Sequence, residues 1–421
     1  MASQPNVLVI TCHDLGRQLG CYGADVETPA IDRLAAAGAR FERSFAAAPQ
    51  CSPSRGAMST GRYPHRNGLM GLVHRGWDLD PDERTMPAYC ADAGYETYLF
   101  GLQHEATDPA RLGYEHVHDE SRAAPAVSTA FADAVETLEP PWFAGVGFFE
   151  THRPFGNDVH EPPDPATIDL PGFLPDEPGI REDLAEMIAD VRLVDDAVDR
   201  ILGALEAAGR AEDTLVLFAA DHGIAFPRAK STCLDGGIEI PLLARHPGLV
   251  EPDTTVEQLV SNVDVLPTIL ELIGEPIPED LDGRSFRPAL EGDQTDPRSH
   301  VFAEQTWHVR PSPTRAVRTD RYKYIQNYMT HLPRAGKEDR RDPEEELYDL
   351  RADPHERSNL LSDEPFTRRG QEPPAVDLEP TVEEVYRSLR HRLQEWMRRT
   401  EDPIAAGVLP LSNHDRDRFA G

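Results

Sequence analysis

Lysine is nearly absent from this 421-residue chain: it occurs only at Lys230, Lys323 and Lys337, and every other basic residue is arginine. Basic residues are themselves outnumbered, 42 against 74 Asp and Glu, for a formal net charge of -32. Such a surface repels nucleic acid and anionic membranes, so neither is expected as a partner. A lysine-poor acidic surface also resembles halophilic proteins, in which dense counter-ions screen self-repulsion. Cysteine is scarce and odd in number, at Cys12, Cys21, Cys51, Cys90 and Cys233. That argues against a disulfide framework and for a reducing compartment. No apolar run approaches the roughly 20 residues that span a bilayer. The first residues have no basic segment leading into a signal-peptide core. The resulting expectation is a cytoplasmic protein.

Hydrophobic residues make up 39% of the chain, enough to fill a core. Apolar runs at 6–11, 95–101, 142–149 and 214–220 read as buried strands. Between them lie helical patterns at 28–38, 82–93, 127–138 and 181–209, the last with Leu184, Ile188, Val191, Val194, Val198 and Ile201 on one face. A further strand is expected at 240–245, a capped helix at 262–273 and a connector at 281–290. The alternation predicts an α/β domain with a mostly parallel sheet. From residue 301 the texture changes to short β-like runs at 301–304, 315–319, 322–328 and 346–350, followed by a helix at 382–397. The expected division is a catalytic domain over 1–300 and a smaller C-terminal α+β unit over 301–421, built on a short antiparallel sheet. The Pro- and Asp-rich stretch 155–178 reads as a surface loop.

The chemistry gathers around Cys51-Ser52-Pro53-Ser54-Arg55. Pro53 fixes a dihedral, Arg55 is a permanent cation, and a helix is expected to begin near Gly56. A thiol becomes reactive only in an electropositive setting, which these neighbours supply. Several strands end in polar residues: His13-Asp14, His104, His152 and Asp221-His222. Open α/β sheets place ligands at such strand ends. Asp14, Asp221 and His222 could bind a divalent cation, oxygen ligands favouring Ca²⁺ or Mg²⁺ and imidazole favouring Mn²⁺ or Zn²⁺. Lys230 stands where arginine is the rule, which suits a compact point charge at an anion site. His152 suits a general acid.

These stretches resemble the sulfatase family of the alkaline-phosphatase superfamily. The resemblance runs through Thr28-Pro29-Ala30-Ile31-Asp32, Cys51-x-Pro-Ser-Arg55, Asp221-His222-Gly223, the segment 264–268, the segment 318–323 and the segment 346–356. It is strongest to heparan N-sulfatase (sulfamidase)-like members. It implies an alkaline-phosphatase-like sheet sandwiched by helices. It further implies conversion of Cys51 to formylglycine by a formylglycine-generating enzyme, and a covalent sulfated intermediate on its hydrate. Carried over position by position, Asp14, Asp221 and His222 become ligands of one divalent metal beside Cys51, with Ca²⁺ the family's usual ion. His13 is left open as ligand or neighbour. Arg55 would stabilise the aldehyde hydrate, His104 would hold or deprotonate it to release sulfate, and His152 and Lys230 would bind sulfate and assist the leaving group. The implied substrate is a sulfated small molecule or saccharide; no oligomeric state is implied. Three departures stand out: His13-Asp14 for Asp-Asp, Asp221-His222 for Asp-Asn, and Gly101-Leu102-Gln103-His104 for Gly-Lys-x-His. They keep open two alternatives, a phosphonate monoester or phosphodiester hydrolase and a catalytically weakened sulfated-glycan binder.

Overall fold

The computed structural model describes residues 4–329, 344–362 and 381–414. Lys337 lies outside them. Strands β1 (Asn6–Cys12), β2 (Ala39–Phe41), β3 (Ser44–Phe45), β4 (Glu96–Gly101), β5 (His116–His118), β6 (Trp142–Gly147), β7 (Thr214–Ala220), β8 (Leu242–Arg245), β9 (Thr254–Val256) and β10 (Val260–Ser261) form the first part of the fold. All but β3 and β10 join one sheet in the order β5-β4-β6-β1-β7-β8-β2-β9. Its pairs are parallel except those made by β8, which runs against both neighbours. The short β3 and β10 pair with each other.

Alternate strand residues enter different cores, which is why the central strands read as unbroken apolar runs. Leu8, Ile10, Val146 and Phe218 pack beneath α1 (Pro29–Ala36) and the helices Ala124–Ala134 and Pro178–Ala207. Val7, Val9, Phe143 and Leu217 face Met58, Cys90 and the helix Val265–Ile273 on the other side. The sheet is therefore sandwiched by helices, as expected.

The C-terminal sheet is antiparallel, in the order β11 (His300–Trp307), β12 (Pro311–Thr319), β13 (Tyr322–Asn327) and β14 (Glu345–Asp349). The helix Val382–Arg399 covers it, started by a capping box between Thr381 and Glu384. Phe302, Val317 and Tyr324 share a core with Ala47, Ala57 and Tyr63, so this sheet packs directly on the segment around Cys51.

Several expectations need correction. The helix expected near Gly56 begins at Cys51 itself, as α2 (Cys51–Thr60), because proline is tolerated in a first helical turn where its missing N–H is not needed. Gly61 closes it at φ 65°, donating its N–H to the Ala57 carbonyl. The helix expected at 82–93 is only Met86–Asp92, and the connector at 281–290 contains a short helix, Arg287–Leu290. The stretch 155–177 holds neither helix nor strand. Among the described residues no helix is long and apolar enough to cross a membrane.

Candidate active site

The sheet register assembles the site. Gly101 pairs with Gly147, Thr11 with Gly147, and Cys12 with Ala220, so β4, β6, β1 and β7 end side by side. The segments that follow carry His104, His152, His13-Asp14 and Asp221-His222 across adjacent strands, a spacing of about 4.8 Å each. Asp221 N–H donates to Cys12 O at 3.0 Å, extending the β1–β7 pairing one step into the site. Asp14 then turns into the left-handed region, φ 50°, which Asp tolerates. Its N–H donates to Asp221 Oδ1 at 2.9 Å, locking the two acids together.

Cys51 enters from α2. Gln50 is extended at φ -148°, and Cys51 is the first helical residue, beside the unpaired N–H groups of the first turn. All ten residues of this helix are buried. Ser54 Oγ donates to the Asp221 carbonyl, and Asn262 Nδ2 donates to Ser54 Oγ at 2.9 Å, tying the helix to the end of β7. Gly223 follows Asp221-His222 because a Cβ there would stand 1.9 Å from Gly236 O.

His13, Asp14, Cys51, Asp221 and His222 bring ligand atoms within 4.8 Å of one another, all buried. Twice a metal–oxygen distance of about 2.1–2.5 Å spans the same range, so one cation could touch the set. His222 Nδ1 lies 2.8 Å from Gly223 O and donates to it, leaving the Nε2 lone pair 3.1 Å from Asp14 Oδ1 and 3.5 Å from Cys51 Sγ. That is the tautomer a metal-binding imidazole needs. His13 Nδ1 lies 2.7 Å from Asp14 Oδ1. Burial alone would lower both imidazoles. Asp221 and Asp14 instead push His222 up to about 10, and Cys51, Asp221 and Asp14 push His13 up to about 9. Two carboxylates, two imidazoles and a thiol, all buried and drawn this close, fit a divalent cation.

The other predicted residues surround this cluster. Lys230 Nζ donates to Asp14 Oδ1 at 2.8 Å and to Oδ2 at 2.6 Å. Arg55 Nε donates to Asp221 Oδ2 at 3.0 Å, while its buried Nη2 has no partner among the described residues. His152 Nδ1 lies 2.6 Å from Arg153 O, and its Nε2 lies 4.0 Å from Asp14 Oδ2. The His13 ring stands 4.6 Å from that of His152 and 5.2 Å from that of His104. Burial raises the Cys51 thiol, but the charges of His13 and Lys230 and hydrogen bonds from His104 and His13 overcome it and hold the thiol well below its usual value. Burial lowers His104, with Cys51 opposing; burial also lowers His152, with Asp14 opposing. His152 is 31% exposed and Lys230 12%, whereas Asp14 is fully buried, so the cluster meets solvent on the side of those two.

Sequence reasoning missed the residues that support these. Glu105 is buried, accepts the His104 N–H at 2.6 Å, and is raised by burial against the pull of Arg55. Ser231 and His308 meet at 3.0 Å beside Lys230. The position of Ser231 next to Lys230 was a signal for the first; nothing in the sequence pointed to the second.

Residues 5–275 match the sulfatase family, and residues 229–372 match the C-terminal region of N-sulphoglucosamine sulphohydrolase. An ulvan-active sulfatase of Formosa agariphila is 29% identical, covering 86% of this chain and 77% of that protein. Human N-sulphoglucosamine sulphohydrolase is 28% identical over 94% of this chain and 91% of its own length. A structure solved with D-glucosamine-2-N,6-O-disulfate superposes with a TM-score of 0.75 at 19% identity, covering 95% of this chain and 99% of that one.

Proposed function

The chain belongs to the sulfatase family of sulfuric ester hydrolases, and within it we propose that this enzyme releases sulfate from O-sulfated or N-sulfated sugars. It does so with a formylglycine made from Cys51 and one divalent cation. The observation that carries the reading is the position of Cys51, first in its helix and packed against the Asp14, Asp221 and His222 donor set. The C-terminal match to N-sulphoglucosamine sulphohydrolase and the ulvan-active relative support a sulfated saccharide, the former favouring an N-sulfate.

Formylglycine supplies, as its hydrate, the oxygen nucleophile, while the cation supplies neutralisation of the sulfate oxygens and a lower nucleophile pKa. Asp14, Asp221, His222 and the side chain at position 51 would hold the cation; Ca²⁺ fits the carboxylates, and Mg²⁺, Mn²⁺ or Zn²⁺ are admitted by the imidazole. Arg55, oriented by Asp221, offers its free Nη2 to the oxygens at position 51. Lys230 and His152, on the exposed side, bind the sulfate; His152 Nδ1–H donates to Arg153 O, so Nε2 is the ring nitrogen turned to the sulfate and the departing sugar atom. His104, which hydrogen-bonds the side chain at position 51, takes the proton from it when sulfate leaves.

The test is intact-mass analysis of the Cys51 peptide from the native host, paired with sulfate release from glucosamine N-sulfate and an aryl sulfate. A peptide carrying only unmodified thiol overturns the proposal. Faster turnover of an aryl phosphonate than of the aryl sulfate transfers the site to phosphonate hydrolysis.

A further inference from the structure

The strand β11 ends at Trp307, and the chain turns through His308 into β12. That turn is pinned to the active centre from several sides. Gln50, the residue before Cys51, donates from Nε2 to Trp307 O at 2.6 Å. Trp307 N–H donates to Met70 O at 3.1 Å, and its indole N–H donates to Pro410 O at 2.7 Å. The His308 imidazole reaches Ser231 Oγ with Nδ1 at 3.0 Å. Ser231 follows Lys230 directly, sits in the left-handed region at φ 66°, and donates its N–H to Pro49 O at 2.9 Å. The antiparallel sheet thus delivers an imidazole to the rim of a centre built almost wholly from the larger sheet.

A histidine that serves only the core would have both ring nitrogens satisfied inside it. Here Nδ1 is held by Ser231 Oγ at 3.0 Å, and Nε2 has no partner among the described residues. The side chain is half-buried, not sealed. Burial pushes its pKa down to about 4, with Lys230 and His222 acting in the same direction and Cys51 and Asp14 against. The imidazole therefore stays neutral at neutral pH and adds no cation to the sulfate site. A neutral ring nitrogen held in place beside the sulfate clamp matches an uncharged hydroxyl.

We propose that His308 is a substrate-binding residue that hydrogen-bonds a saccharide hydroxyl next to the scissile sulfate through its Nε2, and so favours sugars over simple aryl sulfates. This rests on the sulfatase reading above. A polar group placed to pair with a substrate hydroxyl discriminates against substrates that lack one.

The experiment compares kcat/KM for glucosamine N-sulfate and 4-nitrophenyl sulfate in the wild type, His308→Ala and His308→Gln, with thermal melts of each. Gln can place an amide N–H near the original Nε2. The Ala variant is expected to lower the saccharide-to-aryl ratio about tenfold or more, mostly through KM, and the Gln variant to recover at least half of that on a logarithmic scale. Equal losses on both substrates, or an unchanged ratio, overturn the assignment of His308 alone. A wild-type enzyme that releases sulfate from neither substrate overturns the sulfatase reading and this assignment with it.

Discussion

Replacing Lys323 by methionine tests how the chain spends its rare lysines. Lys323 lies on β13, fully buried, with Nζ 2.5 Å from Asp235 Oδ1 and 2.6 Å from Glu356 Oε1. Arg318 Nη2 adds a weaker contact to Asp235 at 3.3 Å. One ammonium therefore serves two buried carboxylates. Asp235 begins the turn Asp235–Ile238, whose Gly237 carbonyl accepts the Gly223 N–H at 2.9 Å, immediately after His222. Methionine keeps the stem and volume but removes the charge, leaving Glu356 unpaired; breaking a buried pair in this way costs about 3–5 kcal/mol. The pH dependence has a definite sign. Burial pushes Glu356 up to about 7, with Lys323 opposing and Asp235 adding. A carboxyl raised above its unfolded value of about 4.3 contributes most below that value, and the contribution is lost as pH rises towards 7. Without Lys323 the folded pKa rises further, so the loss continues above neutrality. The variant should melt roughly 3–6 °C below wild type at pH 8 and much closer to it at pH 5, as read by scanning calorimetry. Adding Glu356→Gln should recover most of the deficit at pH 8. A deficit of the same size at both pH values, or none at pH 8, refutes the reasoning.

Two predictions concern the site itself. Lys230→Ala should lower kcat/KM for an aryl sulfate by about 10²-fold or more, and unchanged turnover would remove Lys230 from sulfate binding. His222→Asn exchanges an imidazole nitrogen for an amide oxygen and should move metal preference from Mn²⁺ or Zn²⁺ towards Ca²⁺, measured as bound metal by mass spectrometry and as the melting-temperature gain each ion confers. An unaltered metal profile would exclude His222 from coordination.

The parts of the fold legible in the sequence are those whose burial leaves a pattern. Strand β7 matches its apolar run residue for residue, because both faces are covered. Strands β2, β5 and β9 were not seen: at three residues each, they take their pairing from neighbours rather than from their own composition. The start of α2 was displaced because Pro53 and Gly56 look like breakers. In place, Pro53 lies in the first turn, and a Cβ at Gly56 would come 2.8 Å from Leu69 Cδ2. The cluster of strand-end polar residues was legible because a parallel register turns similar sequence positions into neighbours. His308 was not, because its approach depends on how a second sheet packs against α2. The unusual retention of Lys230 and Lys323 was visible, but only the packing shows that Lys230 faces Asp14 and Lys323 faces Asp235 and Glu356.

The departures at His13 and Leu102 balance in formal charge. Relative to the Asp-Asp and Gly-Lys-x-His patterns, His13 removes a carboxylate and Leu102 removes a cation. The two positions touch one electrostatic network. His13 Nδ1 lies 3.5 Å from Asp221 Oδ2, which Arg55 also holds, and Leu102, 2% exposed, lines a cavity of about 40 Å³ with Arg55 and Glu105. His13→Asp alone would place a third carboxylate against Asp14 and Asp221. Leu102→Lys alone would put an ammonium beside the Arg55 guanidinium, with only Glu105 to answer it. Each single change should therefore lower both melting temperature and aryl sulfate turnover, and the double variant should lose less than the two singles combined. The measurement is a double-mutant cycle on kcat/KM and on stability, with a coupling of at least about 1 kcal/mol expected for groups sharing one network. Additivity within about 0.5 kcal/mol would mean that the two positions changed independently, and that Leu102 stands for a lost sulfate contact rather than one half of a charge exchange.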